Sequence, residues 1–304
     1  MNLIIGTGNV FKDYYYPNLK NKSNYKFFDN NPYEVSINFK NRLIDKIDKD
    51  KTYDTIYILT PPSTHFQLIQ NLHSIGKSFY VEKPTFSSLI EYESILGEIK
   101  DSKIAGGHSR RFFSNYLCFK DFILNEMKNS KITSISAREG SPYNWNPQKL
   151  ESILDDEFTH LVDSILFVTG MEETNLEVQI KKVNDDCFKE ISVESLINSI
   201  NVDIQYSRTR QLINQININF ENGMSYHLNT NLNGEIFKIK KNNIYSLNNG
   251  NKQSAIGVFS EVIDYMENFS INNVDKYNLL KFQNTLRVID ACLLYTSPSP
   301  RDRG

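Results

Sequence analysis

Apolar and polar positions alternate along the first third of the chain as short buried-strand runs separated by stretches of helical spacing. Asn2 to Ile5 reads as a strand, Tyr14 to Leu19 as a helix, and Tyr25 to Phe28, ending at Asp29, as a second strand, which together make a βαβ unit. The pattern continues with a helical stretch over Phe39 to Lys46, a strand over Thr55 to Leu59, and a helix over Phe66 to Leu72 that ends at Gly76. A strand over Ser78 to Val81, a helix near Leu89 to Ile99 and a last strand over Ile104 to Gly107 follow. Such alternation predicts a doubly wound parallel sheet.

The pattern changes near Gly107, where we place a domain boundary. A helix is expected over Tyr116 to Met127, a strand over Ile132 to Ala137, an irregular loop through Trp145, and a helix carrying Asp156, His160 and Asp163 to Phe167. Period-two runs then succeed one another: Leu176 to Lys182, Ser199 to Tyr206, Leu212 to Phe220, Met224 to Thr230 and Glu235 to Lys240, with a hairpin turn at Glu221-Asn222-Gly223. This predicts an α+β domain with a large, mostly antiparallel open sheet, closed by helices over Phe259 to Phe269 and Tyr277 to Ala291. The expected division is therefore 1–107, 108–291 and a tail. That tail, 292–304, reads like the translation of a sequencing adapter, so the natural chain is expected to be interrupted near Ala291.

Composition narrows the partners. The formal charge is -2 with lysines and acids interleaved, so no basic face argues for nucleic acid or anionic lipid. Cys118 and Cys187 are far apart and belong to no metal-ligand spacing, which predicts no metal and fits a reducing cytoplasm. No apolar run approaches a membrane span or a signal-peptide core. A small-molecule partner is expected.

The candidate chemistry begins at Gly6-x-Gly8, between a strand and a helix. Glycines there permit a tight turn and let backbone amides, with Asn9 and Val10 opening the helix, approach a pyrophosphate. The third glycine position of such loops holds Phe11, so helix-to-strand packing must be arranged differently. Asp29 ends the second strand, where a carboxylate can accept bonds from the adenosine ribose; it could equally cap a turn. Its neighbours Asn30 and Asn31 are neutral, which favours NAD over NADP.

Taken in order, Gly6-x-Gly8, Thr60-Pro61 with His65, Gly76-Lys77, Glu82-Lys83-Pro84, Arg110-Arg111-Phe112 and Asp156-x-x-x-His160-x-x-Asp163 ahead of Gly170 resemble the glucose-fructose oxidoreductase / inositol 2-dehydrogenase (Gfo/Idh/MocA) family. The resemblance covers nearly the whole chain to Ala291. It implies an N-terminal NAD(P)-binding Rossmann domain, a C-terminal α/β domain for substrate binding and oligomerisation, and a cleft between them for nicotinamide and sugar. It also implies hydride transfer with a secondary hydroxyl of a sugar, cyclitol or nucleotide sugar. Phe158 stands where the family's motif usually has glycine, which could narrow or reshape the pocket.

On that resemblance Lys83, Asp156 and His160 are the catalytic candidates. His160 would move the proton, Asp156, on the same helical face four residues earlier, would orient the imidazole or the substrate, and Lys83 would donate to the reacting oxygen. Gly6, Gly8, Asn9, Val10, Asp29, Thr60, Pro61, His65, Glu82 and Lys83 are the cofactor-binding candidates, with His65 also read as a cap or packing residue at its helix start. Arg111 and Trp145 join the catalytic residues as substrate candidates. Arg110 and Arg111 could instead hold the domain boundary as ion pairs, and Tyr143-Asn144-Trp145 could be a sugar-stacking lip or loop packing. Relatives in this family also include NAD-dependent glycosidase-like enzymes and non-catalytic dinucleotide-sensing regulators. A broad apolar face on the open sheet, covered by a homodimer or homotetramer, is a further expectation.

Overall fold

A computed structural model describes residues 1–31, 41–96, 103–142, 152–186, 189–268 and 279–296. Its contacts divide the chain into two units, Met1–Ser109 with Ser254–Lys281, and Arg110–Gln253 with Phe282–Gly304.

The first unit is built on five parallel strands: β1 (Asn2–Ile5), β2 (Tyr25–Phe28), β3 (Ile56–Ile58), β4 (Ser78–Glu82) and β5 (Lys103–Gly107), in the order β2-β1-β3-β4-β5. β1 and β3 are buried at every position, as continuous apolar runs covered on both faces should be. The chain leaves β1 for β2 on one side and crosses to β3 on the other, so a topological switch point lies above the ends of β1 and β3. A π-helical turn, Phe11–Tyr15, runs into α1 (Tyr16–Leu19); α2 (His65–Leu72) and α3 (Leu89–Leu96) follow β3 and β4. The described part of the stretch expected to be helical over Phe39 to Lys46 is not an α-helix, because Leu43 bridges to Phe27 beside β2.

The second unit opens with α4 (Ser114–Met127) and β6 (Ile132–Gly140). Next come a π-helical turn, Leu154–Phe158, and α5 (Thr159–Thr169), which stops at Gly170 in the left-handed region (φ 72°). Seven strands follow: β7 (Val178–Asp186), β8 (Glu190–Ile197), β9 (Ile200–Ser207), β10 (Gln215–Phe220), β11 (Met224–Asn229), β12 (Ile236–Lys240) and β13 (Asn243–Leu247). With β6 they form an eight-stranded sheet, β13-β12-β11-β10-β6-β9-β8-β7, in which only the β6–β9 pair is parallel. The expected α+β domain with a large, mostly antiparallel sheet is therefore found, with β8 and β13 added to the expected strands.

One face of this sheet packs Ile135, Val193, Val202, Ile204, Ile216, Ile218 and Leu228 against α4 and α5. The other face is not the broad apolar surface expected. Asn217 donates to Ser136 (3.2 Å), Asn219 to Ser134 (2.9 Å) and Ser225 to Asn219 (2.6 Å), so polar rungs cross the central strands.

The last helices part company. α6 (Ala255–Glu267), capped by Ser254, belongs to the first unit although the sequence groups it with the second. Phe259 stacks on Tyr14 and meets Tyr15 edge-on, both at 4.9 Å, and Glu267 accepts from Tyr25 (2.8 Å) and Lys22 (2.6 Å). α7 (Gln283–Thr296) returns to the second unit and continues past Ala291: Cys292 is fully buried in the core.

Candidate active site

The glycine turn after β1 is built for close approach. Gly6 has φ +94°, and a Cβ there would lie 2.8 Å from the Leu59 carbonyl oxygen, so no side chain fits against the end of β3. Gly8 differs: a Cβ on it would meet nothing within 4 Å, and Gly8, Asn9 and Val10 are exposed. The protein does not need a glycine at position 8 for its own packing, whereas a backbone that must meet a pyrophosphate does.

Phe11 is fully buried and packs edge-on against Phe27 at 5.0 Å. The turn beginning at Phe11 is π-helical, and in that geometry the helix accommodates a ring where such loops carry glycine.

Asp29 turns back on the loop. One carboxylate oxygen accepts from the Thr7 amide (2.6 Å) and hydroxyl (2.7 Å), and the other from the Asn31 amide (2.9 Å). Burial alone would raise its pKa, but the Asn31 and Thr7 hydrogen bonds, with the charge of Lys12, together hold it below the usual value. Asp29 is thus an anion beside the glycine turn. The local sequence showed no cation beside it; Lys12, on the helix after the glycines, is brought near by the fold.

At the end of β3, Thr60 and Thr64 share a hydrogen bond (2.6 Å), and the Thr64 hydroxyl donates to the Pro61 carbonyl (2.8 Å). His65 is fully buried, with Nε2 2.8 Å from the Thr60 carbonyl oxygen and Nδ1 2.9 Å from that of Pro84. Desolvation lowers its pKa against the opposing effect of those carbonyls. Placed among the cofactor ligands in the sequence, His65 has no surface with which to touch one. It ties the Thr60-Pro61 loop to Pro84 instead.

Lys83 follows β4, where its amide donates to the Glu82 carboxylate (3.3 Å). The last pair in the β4–β5 register is Glu82 with Gly107, and a Cβ on Gly107 would lie 2.6 Å from the Glu82 Cα. Gly107, used in the sequence only to mark a boundary, lets β5 lie against the main chain that presents Lys83.

In the second unit the π turn carries Asp156 and the first turn of α5 carries His160. Single π turns recur at functional sites. Arg208, 3 % exposed, reaches Glu157 at 2.6 Å and Asp156 at 3.2 Å, a partner the sequence gave no reason to connect. Phe158 is buried in the hydrophobic core, so it packs inward and does not narrow a pocket.

Arg111 is no substrate ligand. It is 1 % exposed, bonded to both oxygens of Asp163 (3.0 and 2.6 Å) and to Glu172 (2.6 Å), with its guanidinium 4.3 Å from the Phe282 ring centre. Arg110 likewise makes a paired bond to Glu139 (2.7 and 2.8 Å). Both follow the ion-pair alternative. Trp145, with Tyr143 and Asn144, lies outside the described residues. Among the described residues no cluster of His, Cys, Asp and Glu could hold a metal, and no helix is long and apolar enough to cross a membrane. A polar depression of about 490 Å³ lined by Asn2, Asp54, Lys77 and Glu267 lies at the opposite, N-terminal ends of the strands and contains none of the candidates.

Residues 2–104 match the family model for the Gfo/Idh/MocA oxidoreductases, described as having an NAD-binding Rossmann fold. Inositol 2-dehydrogenase of Rhizobium meliloti is 25 % identical over 177 residues, 57 % of this chain and 52 % of that protein, so the chain spans about half the length of that relative. Among solved structures, UDP-N-acetylglucosamine 3-dehydrogenase from Acidithiobacillus ferrooxidans superposes with a TM-score of 0.76 at 16 % identity, covering 96 % of both chains. A super-repressor mutant of Gal80p from Saccharomyces cerevisiae gives 0.73 at 12 % identity, covering 97 % of this chain and 95 % of that one. At such identities these two likenesses are of fold.

Proposed function

We propose that this chain, whose residues 2–104 place it among the Gfo/Idh/MocA oxidoreductases, transfers a hydride between NAD and a secondary hydroxyl of a sugar, cyclitol or nucleotide sugar. The observation that carries the reading is the glycine turn: Gly6 is required by the protein's own packing, while Gly8 is left sterically open beside an ionised Asp29. That pair of conditions fits a dinucleotide. NAD is favoured because Asp29 repels a 2'-phosphate, with Lys12 a partial offset.

The nicotinamide, when bound, supplies the hydride acceptor or donor. The residues of this chain do the rest. Gly6, Gly8, Asn9 and Val10 present backbone toward the pyrophosphate, Asp29 accepts from the ribose, and Thr60 and Pro61 line the site. Lys83 donates a hydrogen bond to the reacting oxygen and stabilises its alkoxide character. His160 takes the hydroxyl proton in oxidation, or returns it in reduction, because an imidazole ordinarily exchanges protons near neutral pH. Asp156, kept beside the Arg208 cation, orients the imidazole or the substrate. The chain is further proposed to work as a homo-oligomer in the cytoplasm.

The test is NAD and NADP titration by intrinsic fluorescence, followed by a sugar and cyclitol panel read at the reduced-nicotinamide absorbance. We expect NAD to bind more tightly than NADP and Lys83→Ala to lower kcat by about 10²–10³-fold with NAD affinity retained. No dinucleotide binding would overturn the reading. The likeness to the Gal80p fold supports one second reading, a dinucleotide-sensing regulator, which NAD binding without turnover on any substrate would favour.

A further inference from the structure

We propose that Tyr15 is a positioning residue for the Glu82-Lys83-Pro84 turn: its buried hydroxyl anchors the Glu82 carboxylate, and that carboxylate in turn fixes the main chain and the charge beside Lys83. The inference rests on the reading of Lys83 as the donor to the reacting oxygen.

The geometry is a three-part strap. Tyr15 closes the π turn that begins at Phe11, and its hydroxyl donates to Oε1 of Glu82 at 2.7 Å. The other carboxylate oxygen, Oε2, accepts from the Lys83 amide at 3.3 Å. One side chain therefore joins the helix that follows the glycine turn to the main chain that presents the lysine. On the far side of Glu82, Gly107 admits no Cβ, so the turn is held between β5 and the Tyr15 hydroxyl.

Ring packing does not account for the hydroxyl. Tyr15 is fully buried, with ring centres 6.1 Å from Tyr80, 6.4 Å from Tyr57 and 4.9 Å from Phe259, and a phenylalanine would fill the same space. What a phenylalanine would lose is a donor to a partly buried carboxylate, and such a group left short of donors is costly.

The groups facing Glu82 are Tyr15 from the π turn, Tyr80 from its own strand, and Lys83. Tyr57 on β3 lies behind Tyr80, at 5.8 Å between ring centres, and Tyr57 connects through Tyr25 to Glu267 on α6. Burial is the largest influence on Glu82 and raises its pKa; the Tyr15 hydroxyl, the Lys83 charge and amide, and Tyr80 oppose it. Burial and the Glu82 charge raise the Tyr15 phenol, so it remains a donor throughout the working range. Tyr15 is the largest of the influences that oppose the rise at Glu82.

The experiment compares wild type with Tyr15→Phe, which keeps the ring, and uses Glu82→Gln to assign the signal. Carboxyl titration is followed by carbon-13 NMR of protein labelled at glutamate, a readout that needs no turnover. Tyr15→Phe is expected to move the Glu82 midpoint upward by about 1 pH unit, because one of its hydrogen-bond donors is gone. On a substrate found in the panel, kcat is expected to fall by about 10-fold or more with KM for NAD unchanged, the acid limb shifting the same way. A Glu82 titration and pH–rate profile superimposable on wild type, with only Tm lowered, would overturn the inference and leave Tyr15 as a core phenol. A shifted Glu82 titration in a protein that turns over no substrate would support the Tyr15–Glu82 link while the dehydrogenase reading failed.

Discussion

At the residue scale, two glycines two positions apart separate folding from binding. Gly6→Ala places a Cβ 2.8 Å from a backbone oxygen at φ +94° and should destabilise the chain by about 1–3 kcal/mol, read as a lowered urea midpoint. Gly8→Ala meets no atom within 4 Å, so its urea midpoint should equal that of wild type while NAD affinity drops by about 10-fold or more. Equal losses of stability at both positions would mean that Gly8 is structural after all. Arg111 makes a different point. Its cation is shared by Asp163 and Glu172, both nearly fully buried, so Arg111→Ala leaves two acids without their main partner. The expected loss is about 3–5 kcal/mol in equilibrium unfolding, with no direct effect on NAD affinity. Neither outcome follows from the Arg-Arg pair alone, because the sequence does not say which carboxylates will surround it.

At the element scale, the legible pieces were those with strong periodicity: β1 and β2 were expected residue for residue, and α2 and α4 to within a residue or two. The missed strands had weak signals for physical reasons. β8 and β9 are joined by Asn198 and Ser199, and β12 and β13 by Lys241 and Asn242, all with positive φ (48°, 66°, 48° and 66°). These are turns of the tight hairpin kind without the glycine that usually reveals them. β13 is exposed at its first four positions, so it carries no apolar alternation to read. The open end of the β8–β9 pair, where Glu190 lies opposite Ser207, carries an acid-sensitive contact. Glu190 pairs with Arg210 at 2.5 Å and accepts from Thr209, which lowers its pKa from 4.5 to about 2. A carboxylate depressed on folding contributes stability that is present above its unfolded value, near 4.5, and is lost as pH falls toward 2. Because Arg210 is more than half exposed, solvent screens the pair and the contribution is small. Glu190→Gln should therefore lower Tm slightly at pH 7, with the two proteins converging as the pH is taken down to 2 in a thermal melt series; a constant offset would mean the pair carries no such linkage.

At the scale of the whole molecule, the chain path crosses between units more than once, and α6 and α7 divide between them although they are adjacent in sequence. The end of α7 gives a direct test of the tail. Residues 292–304 read as an adapter, yet Cys292 is fully buried in the second unit's core and the Tyr295 hydroxyl donates to the Lys181 carbonyl at 2.9 Å. Deleting 292–304 should lower the stability of the chain by about 1–2 kcal/mol, on the order of one small buried side chain plus a hydrogen bond, measured by urea unfolding. An unchanged midpoint would show that α7 needs nothing beyond Ala291. The polar rungs on the open sheet face bear on assembly in the same way. Any partner seated there meets Ser134, Ser136, Asn217 and Asn219, so hydrogen bonds and water would hold such an interface more than apolar area.

The sequence by itself determined the two kinds of sheet, the glycine turn, and the order of chemistry-bearing residues that resembles the Gfo/Idh/MocA family, because hydrophobic periodicity and local backbone demands are written in consecutive residues. Only the tertiary structure decided which charges are paired with one another inside the fold. Arg111 is sealed against Asp163 and Glu172, Arg208 is brought to Asp156, Lys12 to Asp29 and Tyr15 to Glu82, across separations of dozens of residues in every case but one. Desolvation and pairing depend on neighbours in space, and a linear pattern does not contain them.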